Sequence, residues 1–287
     1  MGKVGHLDHA VILVADLDRA EQQFAQLGFR PTPRGYHSTH MGTANATVVM
    51  PDRRTYVELL GIVAPTPANA AQRARLARRP GLHGLAFATD DARTAAAELE
   101  AAGLGEGGAV DFARAVELAD GPRDARFTVA RLREDALPGA WCFLCQHHTR
   151  ELVWRPGYVD QPNGARAIVE VLGWARDLDA LVGPWRRLFG ERVQRRGATV
   201  EIRTDTATIS FHTPEALRDR LSGAVDEADP HEPGLAALAF AVEDPGRVRA
   251  CVEAAGIAAI AGEGGAVLVP AATAAGVVIL FRPGAEA

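Results

Sequence analysis

One stretch of the chain is written more than once. LHGLAFATDDARTAAAELEAAG, beginning at Leu82, returns as LAALAFAVEDPGRVRACVEAAG from Leu235, with LAFA, an acidic pair and a closing AAG at the same offsets. HAVILVADLDRAEQQFAQLG from His9 and EVLGWARDLDALVGPWRRLFG from Glu170 follow the same pattern. Internal repetition at this spacing constrains the fold more than any composition does, because one unit cannot bury its own apolar face.

Each copy reads as an apolar β-type run, an acidic punctuation and a helical pattern that stops at glycine. Asp16, Asp90, Asp177 and Asp244 suit helix N-caps, and Gly28, Gly103, Gly190 and Gly256 suit C-caps. Three strand-like segments follow each helix, so every unit reads β-α-β-β-β. Counting back from the glycines aligns His9, His83, Glu170 and Ala236, with one gap in the first copy. The endings LVWRP and ILFRP align Glu151 with Val278.

Four such units predict an α+β chain in which units pair into two half-barrels with helices outside. The expected domains are 1–156, from units 1–78 and 79–156, and 165–287, from units 165–215 and 233–287. The Gly- and Pro-rich RPGYVDQPNGAR (155–166) reads as the junction. Segments 62–80 and 213–234 read as charged, partly helical, solvated crossings.

Composition narrows the function classes. The 287 residues are 47% hydrophobic with a net charge of −5, which fits a chain with a real core. Lys and Arg are scattered without a basic stripe, so nucleic acid is not an expected partner. No apolar run reaches the ~18 residues of a membrane span, so no membrane partner is expected either. The start lacks a signal peptide's apolar middle. Cys142, Cys145 and Cys251 are too few for a disulfide framework and read as buried thiols in a reducing cytoplasm. The chain can close both half-barrels by itself, so monomer and homodimer are both compatible with it.

Four β-α-β-β-β units, with the stretches LDHAVILVADLDRAEQQFAQLGF, TYVELLGI and GLHGLAFATDD, resemble the vicinal oxygen chelate superfamily and its glyoxalase-like domains. The resemblance implies a divalent ion (Ni, Zn, Mn, Co or Fe(II)) held by His9, Glu58, His83 and Glu151 in the first half. The second half would be degenerate, with Ala236 and Val278 at two ligand positions and Ser210 or Phe211 near the third. His40, Asn45, His148 and Trp141 are the expected substrate-binding residues, and His148 is also an alternative to Glu151. The implied chemistry is a glyoxalase-type isomerase or lyase. The ion would hold adjacent oxygens of a small-molecule substrate, and Glu151 or Glu58 would move a proton between neighbouring carbons. Two alternatives stay open: an extradiol-type dioxygenase with His9, His83 and Glu151 on Fe(II), and a non-enzymatic binding or resistance protein with an apolar cup.

Overall fold

A computed structural model of the chain describes residues 4–224 and 232–284; the part of the 213–234 crossing at 225–231 lies outside the described residues. Unit one comprises β1 (Leu7–Val14), α1 (Leu17–Gln26), β2 (Gly35–Tyr36), β3 (Thr43–Val49) and β4 (Tyr56–Ile62), followed by the connector α2 (Ala70–Arg78). Unit two comprises β5 (Gly81–Ala88), α3 (Ala92–Ala101), β6 (Gly105–Val116), β7 (Arg123–Leu132) and β8 (Trp141–His147), followed by α4 (Pro156–Val159). Unit three comprises β9 (Ala165–Trp174), α5 (Asp179–Phe189), β10 (Val193–Arg196), β11 (Thr199–Arg203) and β12 (Thr208–His212), followed by α6 (Pro214–Arg220). Unit four comprises β13 (Gly234–Val242), α7 (Pro245–Ala254), β14 (Ile260–Ala261), β15 (Val267–Val269) and β16 (Val278–Pro283).

Two eight-stranded sheets result, ordered β2-β3-β4-β1-β5-β8-β7-β6 and β10-β11-β12-β9-β13-β16-β15-β14. The two orders are identical under the repeat. In each sheet the first strands of two units pair antiparallel, and each first strand pairs in parallel with the last strand of its own unit.

The repeated punctuation has the local role that its residue types dictate. Asp16 and Asp244 cap α1 and α7 by accepting from backbone N–H groups of the first turn, and Asp177 does the same ahead of α5. In unit two the cap is Asp91 rather than Asp90, because that helix begins one residue later and the Asp90 carbonyl accepts instead from Gln146. The helix-ending glycines Gly28, Gly103, Gly190 and Gly256 all adopt positive φ, where a side chain would be strained.

Strand alternation divides the apolar residues. One face of each sheet, with Ile12, Leu59 and Phe87 from the first and Val171, Phe240 and Phe281 from the second, enters a single core with the helices. Phe87 meets Phe189 and Phe29 meets Phe240 across the two halves, with ring centroids 5.0 Å apart in both pairs. Trp185 of α5 is fully buried there, and truncating such a residue typically costs ~3–5 kcal/mol. The opposite faces form two cups. The first is lined by Val11, Leu13, Tyr56, Leu60, Ala86 and Phe143. The second is filled by Leu172, Trp174 and Leu280, with Leu217 and Leu221 from and beside α6 packed into it. The 213–234 crossing is therefore not simply solvated: its described start plugs a cup.

The junction is strapped to the first half. Asn163 donates to the Leu27 carbonyl and its own N–H to that of Gly28, while Gln161 donates to Val49. Cys142 and Cys145 are buried free thiols, and Cys251 on α7 is free but only half-buried.

Candidate active site in the first cup

The site begins with an irregularity in β1. Leu7 lies opposite Phe87 and His9 opposite Ala86, so Asp8 is the extra residue of a bulge. A bulge re-aims adjacent side chains that regular alternation would send to opposite faces. Asp8 and His9 consequently touch: His9 Nδ1 lies 2.7 Å from Asp8 Oδ2. The same oxygen takes a second hydrogen bond from His147 Nε2 at the end of β8, at 2.8 Å. Asp8 is fully buried. Burial alone would raise its pKa, but the charge and hydrogen bonds of the two imidazoles win and hold the carboxyl well below the usual range.

An ionised carboxylate only accepts, so both imidazoles donate to it. In a neutral His9 the lone pair is then at Nε2, which faces the cup 3.7 Å from Glu58 Oε2. The ring is fixed by stacking on Tyr56 at 4.3 Å and by the edge of Phe143 at 5.4 Å. Glu58 lies between Val57 and Leu59, which enter the shared core, so alternation turns its carboxylate into the cup. Asn45 Nδ2 on the neighbouring strand donates to Glu58 Oε1 at 2.6 Å. His37 Nδ1 lies 2.8 Å from Thr43 Oγ1, and burial pushes the pKa of His37 below its ordinary value.

His9, His37, Thr43, Asn45, Tyr56 and Glu58 line a cavity of about 210 Å³. Phe112, Phe127, Val129, Trp141 and Phe143 supply its apolar walls, and Arg114 of β6 points into it.

Of the residues expected from sequence, His9, Glu58, His40, Asn45 and Trp141 all line this cavity. His83, Glu151 and His148 are not brought to it. His83 is itself a bulge residue: Val11 pairs with Gly84 and Ile12 with Leu82, so His83 drops out of the ladder. It contacts the Arg79 carbonyl at 3.1 Å and lines a separate groove with Trp174 and Glu134. Ala236 is the corresponding bulge residue of β13, so the aligned pair does share one place in the fold. Glu151 lies beyond the end of β8, exposed on a single 3-10 turn at Arg150–Leu152. The residue that corresponds to Val278 is Trp141: Trp141 pairs with Gly84 and Val278 with Ala237. The likeness of LVWRP to ILFRP belongs to segments outside equivalent register. His148 faces away from His147, with Nε2 2.7 Å from Thr128 Oγ1.

Three participants were not legible beforehand as a set. Asp8 acquires its role from a bulge. His147 was one of two adjacent histidines whose facing depended on register. Arg114 sits in DFARAV, where alternation with Phe112 and Val116 was the available signal for a buried arginine.

The four-ligand set implied by the resemblance is not assembled, because the cup-facing positions of β5 and β8 carry Ala86, Phe143 and Cys145. Burial also pushes the Cys145 thiol well above its ordinary pKa. A different donor group is present. Asp8, His9 and His147 each bring one ligand atom within 4.8 Å of the others. Two imidazoles and a carboxylate suit a first-row divalent ion, and Asp8 Oδ1 and His147 Nδ1 are buried without partners.

The second cup pairs its carboxylate internally. Glu170, the counterpart of His9 in register, accepts from Ser210 at 2.6 Å and pairs with Arg282 and Arg220.

Comparison with known proteins agrees with this architecture. A hypothetical protein from Staphylococcus aureus superposes with a TM-score of 0.70 at 12% identity, covering 96% of this chain and 98% of that one. A variant of 4-hydroxymandelate synthase from Streptomyces coelicolor gives 0.60 at 15% identity, covering 99% and 94%. A xylose isomerase-like TIM barrel/4-hydroxyphenylpyruvate dioxygenase fusion protein gives 0.61 at 15% identity; all of this chain aligns to 50% of that one. At these identities the likeness is one of fold. No curated protein matches in sequence. The model of the glyoxalase-like domain family matches residues 7–189, more than half of the chain and through α5 of unit three, and the chain belongs to that family.

Proposed function

We propose that the protein is a small-molecule enzyme of glyoxalase type, an isomerase or lyase that moves a proton between neighbouring carbons of a substrate with adjacent oxygens. The observation that carries this reading is His9: its Nδ1 is held by a buried carboxylate and its Nε2 faces an apolar cavity beside Glu58. Asp8 fixes the tautomer and the ring direction of His9, which leaves Nε2 open to take a proton. Glu58, steadied by Asn45, is placed to receive that proton or return it. The aromatic walls keep water from the exchanging proton. In a metal-loaded form Asp8, His9 and His147 would give up these hydrogen bonds to hold a divalent ion, which would supply Lewis-acid stabilisation of a developing oxyanion, and Glu58 rather than His9 would then carry the proton.

Proton exchange into a panel of 2-hydroxycarbonyl and dicarbonyl compounds in D2O, followed by NMR, tests this. His9→Gln should slow exchange by roughly 10²- to 10⁴-fold. Absence of exchange with every panel member, with and without added divalent metal, would refute it.

A second reading, iron-dependent oxygenation, is supported by the two-imidazole, one-carboxylate group. Anaerobic iron loading followed by oxygen uptake with a catechol distinguishes the two. Uptake that is lost in His147→Gln would favour oxygenation.

A further inference from the structure

Arg114 is 7% exposed, and among the described residues neither a hydrogen bond nor an ion pair holds its guanidinium. An unpaired buried guanidinium is costly. In the second cup, by contrast, Arg282 and Arg220 both pair with the carboxylate of Glu170. In the first cup the room for Arg114 is made by Gly35 on β2. A Cβ at that position would stand 2.8 Å from Arg114 Nη1 and 3.0 Å from Asn45 Oδ1. Asn45 Oδ1 is itself buried without a partner. Among the described residues the only carboxylate lining the cavity is Glu58, which already accepts from Asn45, whereas Arg114 and Arg131 both line it. Beside Arg114 on β6 and β7 stand Phe112 and Phe127, stacked at 5.0 Å, and Trp141 and Phe143 line the same cavity.

We propose that the cup takes a small apolar monocarboxylate, with Arg114 binding the carboxylate and the aromatic wall holding the body beside His9. The fork of a guanidinium matches a carboxylate in two parallel hydrogen bonds, and the ligand supplies the directly bonded counter-charge that Glu58, held by Asn45, does not. This rests on the cup being the reaction site and names the substrate class that it selects.

The test is binding, read without turnover. Dissociation constants are measured by calorimetry for phenylacetate, 3-phenylpropionate and hexanoate, each beside its neutral carboxamide. At least one acid should bind wild-type protein about 10- to 100-fold more tightly than its amide, the range of a charge-assisted hydrogen bond. Arg114→Met should erase that preference while keeping amide binding, and Arg114→Lys should retain part of it. The proposal is overturned if no acid outbinds its amide, or if the preference survives in Arg114→Met. Should Arg114→Met fail to fold, the wild-type comparison and Arg114→Lys still decide. An acid-selective cup on an enzyme without proton exchange would remove only the catalytic reading. Exchange without acid selectivity would remove only this one.

Discussion

Replacing Asp8 by Asn tests the centre of the site, because one oxygen, Oδ2, accepts both hydrogen bonds, at 2.7 and 2.8 Å. An amide oxygen in that place can keep both contacts, but as neutral bonds. Charge-assisted bonds contribute about 1.5–3 kcal/mol and neutral ones about 0.5–1.5, so two such downgrades should cost about 2–3 kcal/mol. The new amide NH2 would also occupy the place of Oδ1, which is buried without a partner. For a chain of this size that corresponds to a fall in Tm of roughly 4–10 °C. The sign with pH follows from the depressed pKa of folded Asp8. The advantage of the carboxylate is fully present above the unfolded carboxyl pKa of about 4, and it drains away as pH falls toward the lower folded value. Urea denaturation of wild type and Asp8→Asn at pH 7 should show the full gap, and at pH 3 a narrower one. Equal stabilities at pH 7, or a gap that does not narrow in acid, would refute the account of Asp8 as an ionised hub.

Gly35→Ala would crowd the movable end of Arg114 and also Asn45 Oδ1, so it should weaken acid binding in the calorimetric assay at a modest cost in stability. Burial, reinforced by Arg79, pushes the His83 pKa down to about 4. The neutral form therefore stabilises the fold above pH ~6.5, and that contribution is lost as pH falls through the window down to about 4. His83→Asn should flatten stability across that window, measured by thermal denaturation, without changing ligand binding in the cup. Native protein should expose Cys251 first to a thiol reagent, with Cys142 and Cys145 reacting only on unfolding, since burial raises both of their pKa values.

The fourfold strand–helix unit could be read from the chain because its signals are local. Acidic caps, glycine stops and alternating apolar runs act within a few residues of themselves, and the one slip, Asp90 for Asp91, moved a helix start by one residue. Glu58 was also legible, since it sits on a regular strand whose alternation fixes its facing, and His9 was legible from its place in the repeat although the bulge beside it was not.

His83 and Glu151 failed for a reason that no local pattern carries. Strand pairing inserts a bulge at His83 and ends β8 before Glu151, and both are decided between segments distant in sequence. The same pairing turned Asp8 toward His9 and carried His147 to it across 139 residues of chain. The linear order thus determined which units form and where each helix begins and stops, since those choices are settled by neighbouring residues. Register between strands, with bulges that re-aim a side chain by half a pleat, was left to the assembled sheet. That is why the carboxylate–imidazole hub and the unpaired Arg114 exist only in three dimensions.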